Sequence, residues 1–70
     1  MNSEKIFFLN GHKLILLEIL TIEQVIRYFN YKNAIFIVEY NNLVCNPMEW
    51  RRQTIDLNDK LEIITIVGGG

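Results

Sequence analysis

The residues best suited to do chemistry are the last three, Gly68, Gly69 and Gly70, which follow Lys60 through Val67, a run that reads as a strand. A glycine tail carries no side chains, so its one reactive group is the Gly70 carboxylate, held on an arm that can thread a slot where any Cβ would clash. Three residues reach about 10 Å at most. Such an arm can present the Gly70 carboxyl to chemistry deep inside a partner enzyme. A frayed end is the competing reading, and the glycines alone do not choose between the two.

Other chemistry-bearing residues are sparse. There is one cysteine, Cys45, and one histidine, His12, which excludes a disulfide framework or a Cys-based zinc site within one chain and fits a reducing compartment. Cys45 has no base at a readable spacing and reads as a small hydrophobe in an edge strand. His12 reads as a solvent-facing hairpin residue. Asp56, Asp59 and Glu62 form an acidic cluster, read as a divalent-metal site or, more commonly, as a solvated face. Arg51-Arg52 is the one basic doublet, and a net charge of −1 gives no drive toward nucleic acid. No catalytic dyad, phosphate loop or metal-ligand spacing is present. The expectation is therefore a chain that is not an enzyme and binds no metal or cofactor itself. Four apolar residues, Ile6 to Leu9, follow the N-terminal Met1-Asn2-Ser3-Glu4-Lys5, too few for a signal peptide, and no apolar run approaches the ~20 residues of a membrane span. A soluble, cytoplasmic protein is expected. The wealth of Ile, Asn and Lys fits an AT-rich genome, that of certain bacteria or of an organelle, with a plastid stroma as the alternative compartment.

The elements that must position the tail can be read from the chain. Seventy residues make one domain. Ile6-Phe7-Phe8-Leu9, Asn10-Gly11 and His12 to Leu17 read as a β-hairpin, because Asn-Gly supplies the two positive-φ residues of a type I′ turn. Thr21-Ile22-Glu23-Gln24 is a capping box, with Leu20 and Val25 as a hydrophobic staple. Ile22, Val25, Ile26 and Phe29 form one helical stripe, with Phe29 in the core, and the helix is expected to end near Asn30 or Asn33. Ala34 to Tyr40 is a third strand. Asn41-Asn42 turns it into a short fourth, Leu43-Val44-Cys45, stopped by Pro47. Met48 to Arg51 is a single helical turn with Trp50 closing one end of the core. Asn58-Asp59 is a turn, and Lys60 to Val67 the last strand. The order is β-β-α-β-β-β, an α+β domain.

One helix cannot cover both faces of such a sheet. If Phe7, Leu9, Leu14, Leu16, Phe36, Val38, Tyr40, Leu61 and Ile63 meet the helix, alternation sends Ile6, Phe8, Ile15, Leu17, Ile35, Ile37, Ile64 and Ile66 to the other side. Lys5, Glu39 and Glu62 are the main polar residues expected there. An exposed apolar face of this kind marks a protein–protein surface, and Phe8, Ile64 and Ile66 are its expected partner-binding residues beside Gly68 and Gly69.

These residues resemble the small ubiquitin-like sulfur carrier proteins, and among them the thiamine-biosynthesis sulfur carriers. The resemblance runs from Ile6 to Gly70. It rests on the Asn10-Gly11 hairpin, the Thr21-initiated helix, the strand into Val38-Glu39-Tyr40-Asn41-Asn42, the Glu49-Trp50 pair, and the ending Val67-Gly68-Gly69-Gly70. Two departures are the Asn41-Asn42 turn, where the family commonly has Asn-Gly, and Asn46 ahead of Pro47. The resemblance implies a β-grasp fold over residues 1–67, a mixed five-stranded sheet with one main helix across one face, followed by a flexible tail over 68–70. It implies that an ATP-dependent activating enzyme adenylates Gly70, that sulfur replaces one oxygen to give a thiocarboxylate, and that a thiazole synthase consumes it. ATP would be used by that partner and not bound by this chain, which would be a monomer or weakly self-associating. A molybdopterin-synthesis sulfur carrier and a non-covalent ubiquitin-like interaction module are the alternatives.

Overall fold

The structure is a computed structural model and describes residues 4–29 and 35–66. β1 (Lys5–Leu9) and β2 (His12–Leu16) form the expected hairpin, with Asn10 and Gly11 at φ 51° and 82°. β3 (Phe36–Tyr40) and β4 (Leu43–Val44) form a second, with Asn41 and Asn42 at 52° and 74°, so two asparagines do the work of Asn-Gly. β5 (Lys60–Thr65) lies between the hairpins, parallel to β1 and antiparallel to β3, giving the sheet order β2-β1-β5-β3-β4. This is the mixed five-stranded β-grasp sheet with one helix.

The helix α1 (Ile22–Tyr28) starts at the capping box: the Thr21 hydroxyl accepts from the Gln24 N–H at 3.2 Å, and the Gln24 carboxamide accepts from the Thr21 N–H at 2.8 Å. Two further N–H groups of the first turn would be orphans in an isolated helix. Here Ile22 donates to the Gln53 carbonyl at 2.9 Å and Glu23 to the Trp50 carbonyl at 3.0 Å. The same segment returns a bond from Ile55 N–H to the Leu20 carbonyl at 2.8 Å. These bonds lay the 50–55 segment along the start of the helix and drive Ile55 into the core.

Ten apolar residues make that core: Phe7, Leu9, Leu16, Ile22, Val25, Ile26, Val38, Ile55, Leu61 and Ile63, with no buried polar or charged side chain among the described residues. Leu14, Leu20, Phe36, Tyr40, Cys45 and Trp50 pack around it, partly buried. Trp50 closes one end as expected, its ring stacked on Phe36 at 5.3 Å and its indole N–H donating to the Cys45 carbonyl.

Several expectations change. α1 ends at Tyr28 and Phe29 is its C-cap, 42% exposed and edge-on to Tyr28, so Phe29 is not a core residue. The helical turn is a 3₁₀ turn over Pro47–Glu49, capped by Asn46, whose carboxamide accepts from the Met48 N–H. Its inserted Asn46 therefore has a role: proline without an N–H suits the first turn position. Lys5 is opposite Leu16 and so belongs to the helix side of the sheet, where its ammonium pairs with Asp56 at 3.1 Å. β4 stops one residue short of Cys45, and β3 and β5 begin and end within their expected runs. Residues 30–34, where the helix was expected to end and β3 to begin, lie outside the described residues, as does the tail from Val67 to Gly70.

Candidate functional site

β5 is the element that leads to the glycines, and its geometry defines the candidate site. Leu61 and Ile63 point into the core and are buried; Glu62, Ile64 and Ile66 point to the face without a helix. Antiparallel register with β3 sets Ile64 opposite Ile37 and Glu62 opposite Glu39. One step further, the Ile66 N–H donates to the Ile35 carbonyl at 2.7 Å. Four isoleucines thus share one end of the open face, 41–70% exposed: Ile37, Ile64, Ile66 and Ile35.

β1 is shorter than β5 at this end. Its last parallel pair is Leu9 with Leu61, and beyond it the Asn10 side chain takes over, its carboxamide oxygen accepting from the Ile63 N–H at 2.8 Å. Ile64 and Ile66 consequently project past the hairpin turn with one neighbouring strand, β3.

Phe8 is on the same face but elsewhere. It pairs with Lys60, four residues before Ile64, a separation of about 13 Å along a strand. It is half-buried and lines a shallow depression of about 170 Å³ with Gly11, Lys60, Leu61 and Glu62. Ile6 and Ile15 are paired nearby on β1 and β2. The open face is therefore two apolar patches, one on β1–β2 and one at the end of β3–β5, parted by Lys60, Glu62 and Glu39. Sequence alternation found the residues and missed the partition, because it carries no information about the offset between β1 and β5.

The remaining candidates have structural roles. The Tyr40 hydroxyl donates to the Asp59 carboxylate and accepts from Gln53 Nε2 at 3.2 Å. Burial first, then this bond, push the Tyr40 hydroxyl up to about 12. Asp59 also accepts from Asn41 Nδ2 and from the Asp56 N–H. Asp56 accepts from the Leu57 N–H, which with the adjacent Lys5 ammonium holds its carboxyl below the usual carboxylate range. Glu62 is on the opposite face, and among the described residues no three His, Cys, Asp or Glu side chains converge as metal ligands. The Cys45 N–H donates to the Val38 carbonyl at 2.8 Å, and burial, aided by Glu49, pushes its thiol up, away from the reactive thiolate. His12 is exposed at the end of the first hairpin.

Comparison with known proteins bears on the fold and the family. The chain is 37% identical over 70 residues to a protein of Trieres chinensis described as uncharacterized protein ycf40, covering 100% of this chain and 96% of that one. It superposes with a TM-score of 0.77 and 22% identity on the crystal structure of the thiamine biosynthesis protein ThiS from Geobacter metallireducens, over 93% of this chain and 99% of that one, which establishes a shared fold. No helix among the described residues is long and apolar enough to cross a membrane. The model of the ThiS family matches residues 5–70, from the start of β1 through the glycines. The chain belongs to the ThiS family of small sulfur carriers.

Proposed function

We propose that Gly70 is the sulfur-bearing residue of this thiamine-biosynthesis carrier. The observation that supports it is the reach of the family match: it extends through residue 70, on a chain whose β5 runs toward the glycines beside exposed Ile64 and Ile66. A carboxylate oxygen of Gly70 attacks the α-phosphorus of ATP on an activating enzyme, releasing pyrophosphate. Hydrosulfide-level sulfur then attacks the acyl carbon, AMP leaves, and loss of the thiol proton gives the thiocarboxylate, which a thiazole synthase consumes. The activating enzyme supplies the metal, the phosphate contacts and the oxyanion donors. This chain supplies the acyl group, the Gly68-Gly69 arm and two separate docking patches on its open face, one at Phe8 and one at Ile64 and Ile66. The compartment we favour is the plastid stroma, since the wealth of Ile, Asn and Lys and the likeness to ycf40 point the same way.

Intact-mass spectrometry tests the reading. Incubated with ATP, a cognate activating enzyme and a sulfur donor, the protein gains the mass of one sulfur-for-oxygen exchange, and the chain lacking Gly69-Gly70 does not. No exchange with a competent enzyme, or exchange in the shortened chain, rejects it.

A further inference from the structure

The charges that part the two apolar patches of the open face are themselves ordered. Lys60 stands beside Phe8, and Lys13 is opposite Phe8 on β2, so the cations lie level with the β1–β2 patch. Glu62 and its partner Glu39 lie one step further along β5, toward the isoleucines. Followed along β5, the face therefore runs apolar, basic, acidic, apolar.

Burial fixes these residues to one side of the sheet. Lys60, Glu62 and Ile64 are exposed and alternate with buried Leu61 and Ile63, and Ile37 and Glu39 flank buried Val38. Lys13 and Ile15 are exposed on either side of Leu14, which packs against the core. Glu39 and Glu62 face each other as like charges, an arrangement that costs a sheet stability. Among the described residues the ion pairs are Lys5 with Asp56 and Glu23 with Arg27 and Arg51, so neither carboxylate is neutralised by one.

We propose that the open face is covered by the open face of a second copy, sheet on sheet, about a two-fold axis that lies in the contact plane and passes between the levels of Lys60 and Glu62. A half-turn about that axis reverses the order along β5. Lys60 of each copy falls on the Glu39–Glu62 pair of the other, Phe8 on Ile64, and Ile6 and Ile15 on the end formed by Ile35, Ile37 and Ile66. One operation thus exchanges the apolar patches and brings each carboxylate pair the ammonium group it lacks. The position of the axis is determined by the charges: one residue further along β5 it would stack Glu62 on Glu62, and one residue back Lys60 on Lys60. Because the patches lie on different strand pairs, about 10 Å apart across the sheet, the axis runs obliquely to the strands. The contact spans about 14 Å from β2 to β3 and about 26 Å from the level of Ile6 to Ile66. That is at the small end for a stable interface, so the dimer depends on concentration. It covers Phe8, Ile64 and Ile66 and so competes with the activating enzyme; this consequence rests on the docking proposed above, whereas the dimer does not.

Sedimentation equilibrium of the full chain, in thiol reductant and over two decades of concentration, tests this. The native protein shows a monomer–dimer equilibrium, and Ile64→Lys, which would press an ammonium onto Phe8 of the second copy, is monomeric throughout. Ile64 is 45% exposed, and far-UV circular dichroism checks that the variant folds. Lys60→Glu weakens the dimer about two- to thirtyfold, since two charge contacts are lost. Adding Glu39→Lys and Glu62→Lys restores it, because the exchanged charges are again complementary. Tyr28→Lys, on the exposed surface of α1, leaves the equilibrium unchanged. A native protein that stays monomeric, including one whose open face is covered only by another protein, overturns the proposal. So does a dimer that survives Ile64→Lys, one broken by Tyr28→Lys, or a Lys60→Glu variant that the two glutamate changes do not rescue. No enzyme or ATP is present in these measurements, so they and the sulfur-exchange assay fail independently.

Discussion

Replacing Ile64 by alanine separates what this side chain does for the fold from what it does for docking. Taking an isoleucine fully from water is worth about 1.5–3 kcal/mol. Ile64 is 45% exposed, so roughly half of that, about 0.8–1.7 kcal/mol, is already realised in the folded chain. The remainder, about 0.7–1.4 kcal/mol, is gained only when a partner covers it, which corresponds to a loss of about three- to tenfold in affinity. Ile64→Lys should cost more affinity and little more stability, because the lysine stem can lie along Ile37 while its ammonium stays in water in the free protein and loses that water in the complex. The assay is calorimetric titration against the activating enzyme, paired with urea denaturation of each variant. Native affinity in both variants would refute the docking assignment, and a loss of affinity matched by unfolding would show that Ile64 acts through the fold alone.

Two further outcomes concern the scaffold. Ile55→Ala empties a site that is 1% exposed and should cost about 2–5 kcal/mol. Against the ~3–10 kcal/mol expected for a chain of this size, that is a large fraction, and a change below about 1 kcal/mol in denaturation would contradict its place under the helix start. Tyr40→Phe removes the hydroxyl that joins Asp59 to Gln53. Because the folded hydroxyl is raised to about 12 from 10.0, its contribution is fully present below pH 10 and fades as pH rises through about 12. Stability measured across that window should fall less steeply in Tyr40→Phe than in the native protein, and equal slopes would exclude the coupling.

Most of the framework was legible because it is written in local chemistry. Asn10-Gly11 and Asn41-Asn42 fix two hairpins by their backbone preferences, Thr21 with Gln24 fixes the helix start, and alternation correctly sorted Phe7 from Phe8 and Ile63 from Ile64. What escaped was set by contacts distant in sequence. Ile55 has no periodic neighbours in Gln53-Thr54-Ile55-Asp56, and it is buried because the helix N-terminus borrows carbonyls from that segment. Phe29 fits the helical stripe, yet the helix ends one residue before it. Lys5 was placed on the open face although it shares parity with Phe7, and its Asp56 partner lies far along the chain. For the candidate site, the isoleucines of β5 were readable and the gap between them and Phe8 was not, since it follows from how far β5 slides past β1.

The place of β5 in the sheet also governs how the protein comes into being. Synthesis delivers two hairpins first, each of which has only its own two strands until a late segment threads between them and bonds to both. Neither pair is stable on its own, and the closing contacts join residues some fifty positions apart, which slows folding relative to helical domains of similar size. A nascent chain is therefore incomplete at the centre of its sheet until β5 has been made. The isoleucine patch shared by β3 and β5 therefore exists only in a chain whose sheet has closed.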